Sequence, residues 1–206
     1  MTTRFRIHAA LGSAAALAVS LAAGAITGAQ APLAINSARI TISGTSNIHE
    51  FTASTSSVRI TRALVASGVA GPEFWTAVLK PGSLEAFEIA IPAKTLTSPK
   101  EGLDKNMHKA LKVQEHADIV FRLARFEPLD GTAVNAIGKL TISGVERDVT
   151  LVLKTEHTAA GLSVKGTTQL LMTDYGIKPP TAMLGMLKTD PKVTITFETL
   201  VTVPLT

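Results

Sequence analysis

Apolar and polar side chains alternate with a period of two along most of the chain from Ala38 onward. This alternation is typical of β-strands that have one buried and one solvated face, as in antiparallel sheets. The last run is the clearest, since Val193, Ile195 and Phe197 alternate with Thr and Glu. The alternating runs lie at residues 38–43, 51–66, 87–91, 119–123, 139–142, 149–154, 162–165 and 193–203. About eight strands are expected, which suits a sandwich or a closed barrel, and a barrel of that size can hold one small ligand.

The first 29 residues have the three-part layout of a signal peptide. Arg4 and Arg6 make a basic start, residues 9–23 are almost entirely apolar or small, and Thr27-Gly28-Ala29 fits a cleavage site. A membrane anchor is the alternative, but a spanning helix needs about 20 apolar residues and this run is shorter and rich in Ala. We therefore expect a signal peptide over 1–29 and one mostly β domain over 30–206, located in the periplasm or the medium without stable membrane insertion.

Removal of this segment changes what the charge implies. The whole chain carries 20 Lys and Arg against 16 Asp and Glu, a net charge of +4, and loss of Arg4 and Arg6 leaves 18 against 16. The remaining basic residues are scattered and form no stripe interleaved with aromatic residues, which argues against a nucleic-acid partner. The chain has no cysteine, so disulfides, thiolate chemistry and cysteine-based metal sites are excluded.

A short helix is predicted in the second of three segments that break the alternation, residues 98–112. Ser98 can cap this helix, Pro99 fits its first position, and Glu101 completes a capping box. Met107 and Leu111 then fall at helical spacing on one face. The helix is expected to cover part of the sheet or one end of a barrel.

The other two interruptions, residues 68–82 and 174–191, are also rich in apolar side chains. The first holds Phe74 and the only tryptophan, Trp75. The second is a long segment with Met183, Met186 and Leu187. Flexible Met side chains suit apolar ligands of variable shape. For any single residue the plainer interpretation is that it closes an end of the core, but together the interruptions would line a pocket mouth if they meet at one end.

No catalytic or metal-binding motif is found in the sequence. His49, His108, His116 and His157 do not have the spacing of metal ligands, and surface or hydrogen-bonded roles are favoured for them. The nucleophile motif G-x-S-x-G and phosphate-binding glycine loops are also absent. The sequence therefore predicts no catalytic residue, no metal site and no cofactor.

Four stretches of the chain resemble the YceI family of secreted, lipocalin-like proteins. Residues 44–51 (GTSNIHEF) resemble the entry into the family's second strand, and residues 87–121 resemble its strand, helical crossover and next strand, with Asp118 where the family usually has Pro. Residues 138–145 (GKLTISGV) resemble a family hairpin, and residues 172–180 resemble the loop before the last strand. The resemblance spans nearly the whole mature chain in the same order.

This resemblance implies an all-β fold, an eight-stranded antiparallel lipocalin-like barrel with a short helix near one end. It also implies an apolar interior that holds a long-chain isoprenoid or a similar amphiphilic lipid, with no catalytic residues established for the family. A homodimer stays open as an assembly. The expected ligand contacts are Ile48, Phe51, Phe74, Trp75, Phe87, Met107, Leu111, Phe121, Tyr175, Met183, Met186 and Leu187.

Three functions remain to be separated by the structure. The leading hypothesis is a binding or carrier protein for an amphiphilic lipid, with Lys112 and Lys178 as candidate partners of an anionic headgroup. The second is a stress-response or interaction module whose barrel is filled by Phe87, Phe121 and other core side chains. The third is a lipid-modifying enzyme, which requires at least two of His49, His108 and Tyr175 to converge on one cavity.

Overall fold

The computed structural model describes residues 33–66, 69, 73–182 and 186–203, which form one curled antiparallel sheet with short helices at its ends. The strands are β1 (Ala34–Ser46), β2 (Glu50–Thr55), β3 (Arg59–Val65), β4 (Leu84–Pro92), β5 (Asp118–Pro128), β6 (Ala133–Ile142), β7 (Val145–Thr158), β8 (Gly161–Leu171), β9 (Thr181–Ala182) and β10 (Leu187–Thr202). The helices are α1 (Phe74–Val78) and α2 (Glu101–Ala110), and 3₁₀ turns lie at Ala93–Thr95 and Met172–Tyr175. The predicted signal peptide lies outside the described residues.

The strands are hydrogen-bonded in the order β2-β1-β10-β8-β7-β6-β5-β4-β3, and every pairing is antiparallel. The predicted all-β antiparallel fold is confirmed, although nine strands follow this path rather than eight. The difference arises because β2 pairs with the second half of β1 while β3 pairs with β4. Since β2 and β3 run in the same direction and only residues 56–58 separate them, they are two halves of one interrupted strand.

The interruption between β2 and β3 has a local cause. The Thr55 hydroxyl accepts a hydrogen bond from Ser57 N–H at 3.0 Å and lies 2.7 Å from the Thr95 hydroxyl. Side-chain bonds of this kind offer the backbone an alternative to the strand ladder. The chain can therefore leave β1 at this point and continue beside β4.

A lateral seam follows from this interruption. Cα atoms of β1 and β3 come within 8 Å of each other, but the described residues contain no ladder between these two strands. The free edge of β2 is instead covered by Thr97, which exchanges two backbone hydrogen bonds with Ser54 at 2.8 and 3.0 Å. The sheet thus curls round on itself with a seam that is only partly bridged.

Helix α2 is present but begins later than the sequence predicted. It starts at Glu101, its N-cap residue is Lys100, and no side chain caps it. The proposed capping box is therefore wrong. Ser98 instead forms a turn of its own, in which its hydroxyl accepts a hydrogen bond from Lys100 N–H, while the Asp104 carboxylate accepts the Ser98 N–H at 2.8 Å.

Strand β10 begins at Leu187, six residues before the alternating run of the sequence, which starts at Val193. Leu187 and Lys188 pair with β9, so much of the expected long loop is a small hairpin. Pro191 hid this extension, because proline in a strand is tolerated only at edges and bulges. The β1–β10 register does shift at this place, where Gly44 pairs with Val193 and Ser46 with Thr189.

The buried side chains form two clusters, one toward each end of the barrel. At the end covered by α2, called the α2 end, the connections β1–β2, β4–β5, β6–β7 and β8–β9 meet. Its cluster consists of Ala93, Leu96, Leu111, Tyr175 and Ile177. Toward the opposite end, called the α1 end, the cluster consists of Phe121, Phe126, Val134, Ala136 and Leu153, with Leu79 and Leu84 packed on it. The middle of the barrel is thus left between two packed ends.

Candidate functional site

A cavity of about 720 Å³ lies inside the curled sheet, between the two buried clusters. This volume falls in the range of about 300–1,000 Å³ that is usual for small-molecule sites. Its wall comes from the inward positions of the strands, including Ile42 on β1, Ile89 on β4 and Ile195 on β10. These three residues are only half-buried, because part of each side chain faces the cavity.

The interior is not filled by the phenylalanines that could have packed it. Phe121 is buried with 7% of its surface exposed, and it belongs to the cluster toward the α1 end. Phe87 and Phe197 are half-buried and line the cavity. The barrel therefore contains a binding-sized space, which disfavours the interpretation as a side-chain-filled module.

Glycines in the wall explain how large rings can line the barrel without closing it. Gly44 lies directly opposite Phe51 in the β1–β2 ladder, and Gly166 lies directly opposite Phe197 in the β8–β10 ladder. A Cβ atom at either glycine would overlap the facing ring. A Cβ atom at Gly138 would meet first the Arg122 backbone oxygen and then the Phe121 ring, which lies diagonally across the ladder because Gly138 pairs with Leu123. Each ring occupies the space of the missing side chain and lies against the wall, as when aromatic rings cover strand glycines.

Most of the predicted ligand contacts lie on the cavity. The residues that line it are Phe51, Trp75, Phe87, Met107, Leu111, Phe121, Tyr175 and Leu187. Phe74 lies outside the lining and packs edge-to-face on Trp75, with 5.0 Å between ring centroids. Ile48 and Met186 also lie outside the lining and are exposed to solvent. Met183 lies outside the described residues.

The two ends of the cavity are built from the segments that interrupt the sheet. At the α1 end, Trp75, Val78 and Leu79 bring helix α1 and the residue after it onto the cavity. At the α2 end, Met107 and Leu111 do the same for the β4–β5 connection. The interruptions therefore contribute to both ends of the cavity rather than meeting at a single mouth.

Polar groups collect where the cavity meets solvent at the α2 end. Ser46, His49 and Glu50 come from the start of the β1–β2 hairpin, and Lys100 and Asn106 come from the N-terminal half of the α2 segment. His49 is held by a tight turn in which the Ser46 hydroxyl donates to His49 O at 2.8 Å and accepts His49 N–H at 3.1 Å. We call these five residues the polar rim.

Lys112 and Lys178, the lysines considered for a headgroup, do not line the cavity, whereas Lys100 does. The charged side chains in the described lining are Glu50 and Lys100, and both are exposed. The spacing of residues around α2 could have suggested Lys100. It lies three residues before Leu103 and seven before Met107, so it falls on the same face of the helix as these two cavity-lining residues. The interior behind the rim is lined by apolar side chains and a few hydroxyl groups, so the site is suited to enclose an apolar chain.

Of the three candidate catalytic groups, His49 and Tyr175 line the cavity and His108 does not, and no hydrogen bond in the described part of the chain joins His49 to Tyr175. The His108 ring Nε2 lies 2.8 Å from Leu96 O, and His108 does not line the cavity. His49 belongs to the polar rim, and Tyr175 belongs to the buried cluster under α2. Burial raises the pKa of Tyr175, and the nearby Asp174 carboxylate raises it further, so this phenol stays protonated and un-ionised.

Within the described ranges, no group of three or more His, Asp or Glu side chains is placed to hold a metal ion. The same residues contain no helix that has both the length and the apolar character needed to cross a bilayer.

The family model of the YceI-like domain matches residues 34–200, which is most of the chain and all of the curled sheet except the last two residues of β10. The chain belongs to the YceI-like family. The comparison with curated protein sequences gave no match.

Several solved structures share the fold of this chain at low sequence identity. Burkholderia cenocepacia BcnA is 12% identical, with a TM-score of 0.63 over 80% of this chain and 96% of that chain. A polyisoprenoid-binding domain from Saccharophagus degradans is 10% identical, with a TM-score of 0.59 over 84% and 98%. The Campylobacter jejuni YceI protein is 15% identical, with a TM-score of 0.50 over 60% and 74%. At these identities, the likeness concerns the fold.

Substitution of Gly166 by Ala tests the close contact with Phe197. The new methyl group would overlap the ring, and overpacking of this kind costs about 1–3 kcal/mol in the free energy of unfolding. Urea denaturation should show this loss. Gly102→Ala in helix α2 is the matched control, since its Cβ has open space and should add about 0.5–1 kcal/mol of stability. Equal effects of the two substitutions would refute a specific contact.

Tyr175 is the only tyrosine, so its ionisation can be followed directly by absorbance. We expect a titration midpoint above 10.0 in the folded protein and near 10.0 in the urea-unfolded chain. Because the unfolded state loses this proton first, the stability of the fold should fall as pH rises above 10. Tyr175→Phe should make that fall shallower, and identical midpoints in folded and unfolded protein would contradict the burial of the phenol.

Proposed function

We propose that this protein is a binding or carrier protein that holds the apolar chain of an isoprenoid or similar amphiphilic lipid inside its barrel. The observation that carries the proposal is a cavity of about 720 Å³ whose charged lining residues are confined to one rim. A ligand that is apolar for most of its length and polar at one end matches this distribution. The family membership and the fold shared with a polyisoprenoid-binding domain support the same class of ligand.

The size of the cavity sets the scale of the ligand. If each chain atom takes up the roughly 30 Å³ that a water molecule occupies in the liquid, the cavity holds on the order of 25 of them. Burial of a methylene contributes about 0.8 kcal/mol, so a chain of this length gains affinity without specific polar contacts. The half-buried walls, such as Ile89 and Phe197, lose further surface to solvent when a chain covers them.

The polar rim would receive the headgroup. Lys100 and His49 offer donors, Glu50 offers an acceptor, and Asn106 offers both. All four side chains are exposed, so they can bind a headgroup without a large desolvation cost. Lys100 replaces Lys112 and Lys178 in the proposed contact with a headgroup.

The structure of the described residues gives less support to the other two functions, a module with a filled barrel and a lipid-modifying enzyme. A filled barrel conflicts with the cavity, and an enzyme would need reactive groups that converge on the bound chain. His108 does not line the cavity, and His49 and Tyr175, which do, share no hydrogen bond in the part of the chain that the structure describes. We therefore propose binding without catalysis.

Extraction of the protein purified gently from its own cells should release a lipid with a long apolar chain, identified by mass spectrometry. Prenyl lipids added to the lipid-free protein should change the fluorescence of Trp75, which is the only tryptophan and lines the cavity. A lipid-free extract together with no response to prenyl lipids would refute the proposal.

Neighbouring threonines on β8 give a matched pair of variants. Thr168 lines the cavity, whereas Thr167 points outward and pairs with Thr196 on the outer face. Thr168→Phe should reduce the space for the chain and weaken uptake of prenyl lipids by about tenfold, equivalent to about 1.4 kcal/mol. Thr167→Phe adds the same ring outside and should leave uptake unchanged. Equal uptake by both variants would place the binding site outside the barrel.

We also propose that the protein acts outside the cytoplasm, in the periplasm or the medium. The layout of residues 1–29 supports this location. The protein recovered from the extracytoplasmic fraction should begin at Gln30, as read by N-terminal sequencing. An intact N-terminus on protein confined to the cytoplasm would contradict the proposal.

A further inference from the structure

Two large apolar side chains are exposed beside the cavity opening. Ile48 is 59% exposed and Met186 is 65% exposed. Their chain neighbours behave differently, since Ser46, His49 and Leu187 line the cavity. Ile48 and Met186 thus lie at the opening but point away from the cavity, and the proposed ligand site does not use them.

A short hydrogen-bond network holds the two residues close together. Asn47 Nδ2 donates to Met186 O at 2.8 Å, and Lys188 N–H donates to Asn47 Oδ1 at 2.8 Å. Asn47 N–H also donates to Lys188 O at 3.1 Å. The β1–β2 turn is therefore fixed to the start of β10, and the exposed residues Ile48 and Met186 lie on the two joined segments; we call them together the rim patch.

The charges around this end favour an anionic partner. Lys100, a member of the polar rim, and Lys188, which is hydrogen-bonded to Asn47, are both exposed, and Glu50 is the acidic member of the polar rim. The connection between β4 and β5, residues 93–117, has five lysines against three acidic residues. The connections at the α1 end, residues 66–83, 129–132 and 159–160, have one lysine against two acidic residues. The two ends thus differ in sign.

We propose that the α2 end docks on the surface of an anionic lipid bilayer, with Ile48 and Met186 inserted among the lipid headgroups. Apolar side chains flanked by lysines are the features by which soluble proteins bind such surfaces. Docking at this end would bring the cavity opening to the membrane, so that a lipid could move between bilayer and barrel without crossing water. The docking itself does not require an occupied cavity.

Flotation of the purified chain with vesicles tests this proposal. Binding should be stronger to mixed phosphatidylcholine and phosphatidylglycerol than to phosphatidylcholine alone. The double variant Ile48→Ser with Met186→Gln should bind about tenfold more weakly, because two apolar contacts are lost. Lys100→Glu with Lys188→Glu should remove the preference for phosphatidylglycerol.

A matched control removes two exposed apolar side chains from the opposite end. Leu129 is 43% exposed and Val203 is 41% exposed, and Leu129→Ser with Val203→Thr should leave vesicle binding unchanged. Every protein compared has the same N-terminal segment, so the contribution of that segment cancels. Thr168→Phe should also bind vesicles normally, which separates docking from uptake into the barrel.

Three results would overturn the docking proposal. The first is absence of vesicle binding by the unaltered chain, and the second is an equal loss of binding in the control at the α1 end. The third is a dimer in sedimentation analysis that Ile48→Ser with Met186→Gln converts to a monomer while vesicle binding persists. In that case a second copy of the chain, rather than a bilayer, would cover the rim patch.

Discussion

Contact between wall glycines and phenylalanine rings determines whether this barrel is hollow or solid. Phenylalanines that project into a barrel of this size would meet across it and fill the centre. Here Phe51 and Phe197 lie over Gly44 and Gly166, the residues directly opposite them in neighbouring strands. The rings take the place of the missing side chains, so the wall is thick and apolar while the centre stays open. Core packing is then concentrated in the two buried clusters toward the ends, and the cavity opens to solvent at the polar rim.

This arrangement has an energetic consequence that links stability to binding. Protein interiors are normally packed as densely as organic crystals, and side chains that face a cavity lose part of the dispersion energy that dense packing gives. Half-buried residues such as Ile89 and Phe87, along the middle of the barrel, lose this dispersion energy where they face the cavity. A bound apolar chain restores those contacts, and a ligand that binds only the folded state stabilises it by mass action. The fold and the proposed function thus depend on the same walls.

The sequence pattern predicted the strands well, because period-two alternation directly reflects one wet and one buried face. It did not show the break between β2 and β3, which depends on the Thr55 hydroxyl competing with the strand ladder. The start of β10 was hidden by Pro191, which the register shift against β1 accommodates. The sequence pattern also could not show the open centre of the barrel, because the open centre depends on Gly166 lying opposite Phe197 in the folded sheet. Ligand contacts chosen for their apolar character mostly line the cavity, whereas the rim residue Lys100 was missed because its position depends on where α2 begins.

A crystal structure of the protein purified gently from its own cells, without detergent, tests the central claim most directly. We expect continuous density for an apolar chain along the cavity, in contact with the faces of Phe87 and Phe197, and with its polar end beside Lys100 and His49. The rings should still lie against Gly44, Gly138 and Gly166. A contracted barrel in which Phe87 and Phe197 turn inward and meet, with no room for a chain between them, would contradict the account.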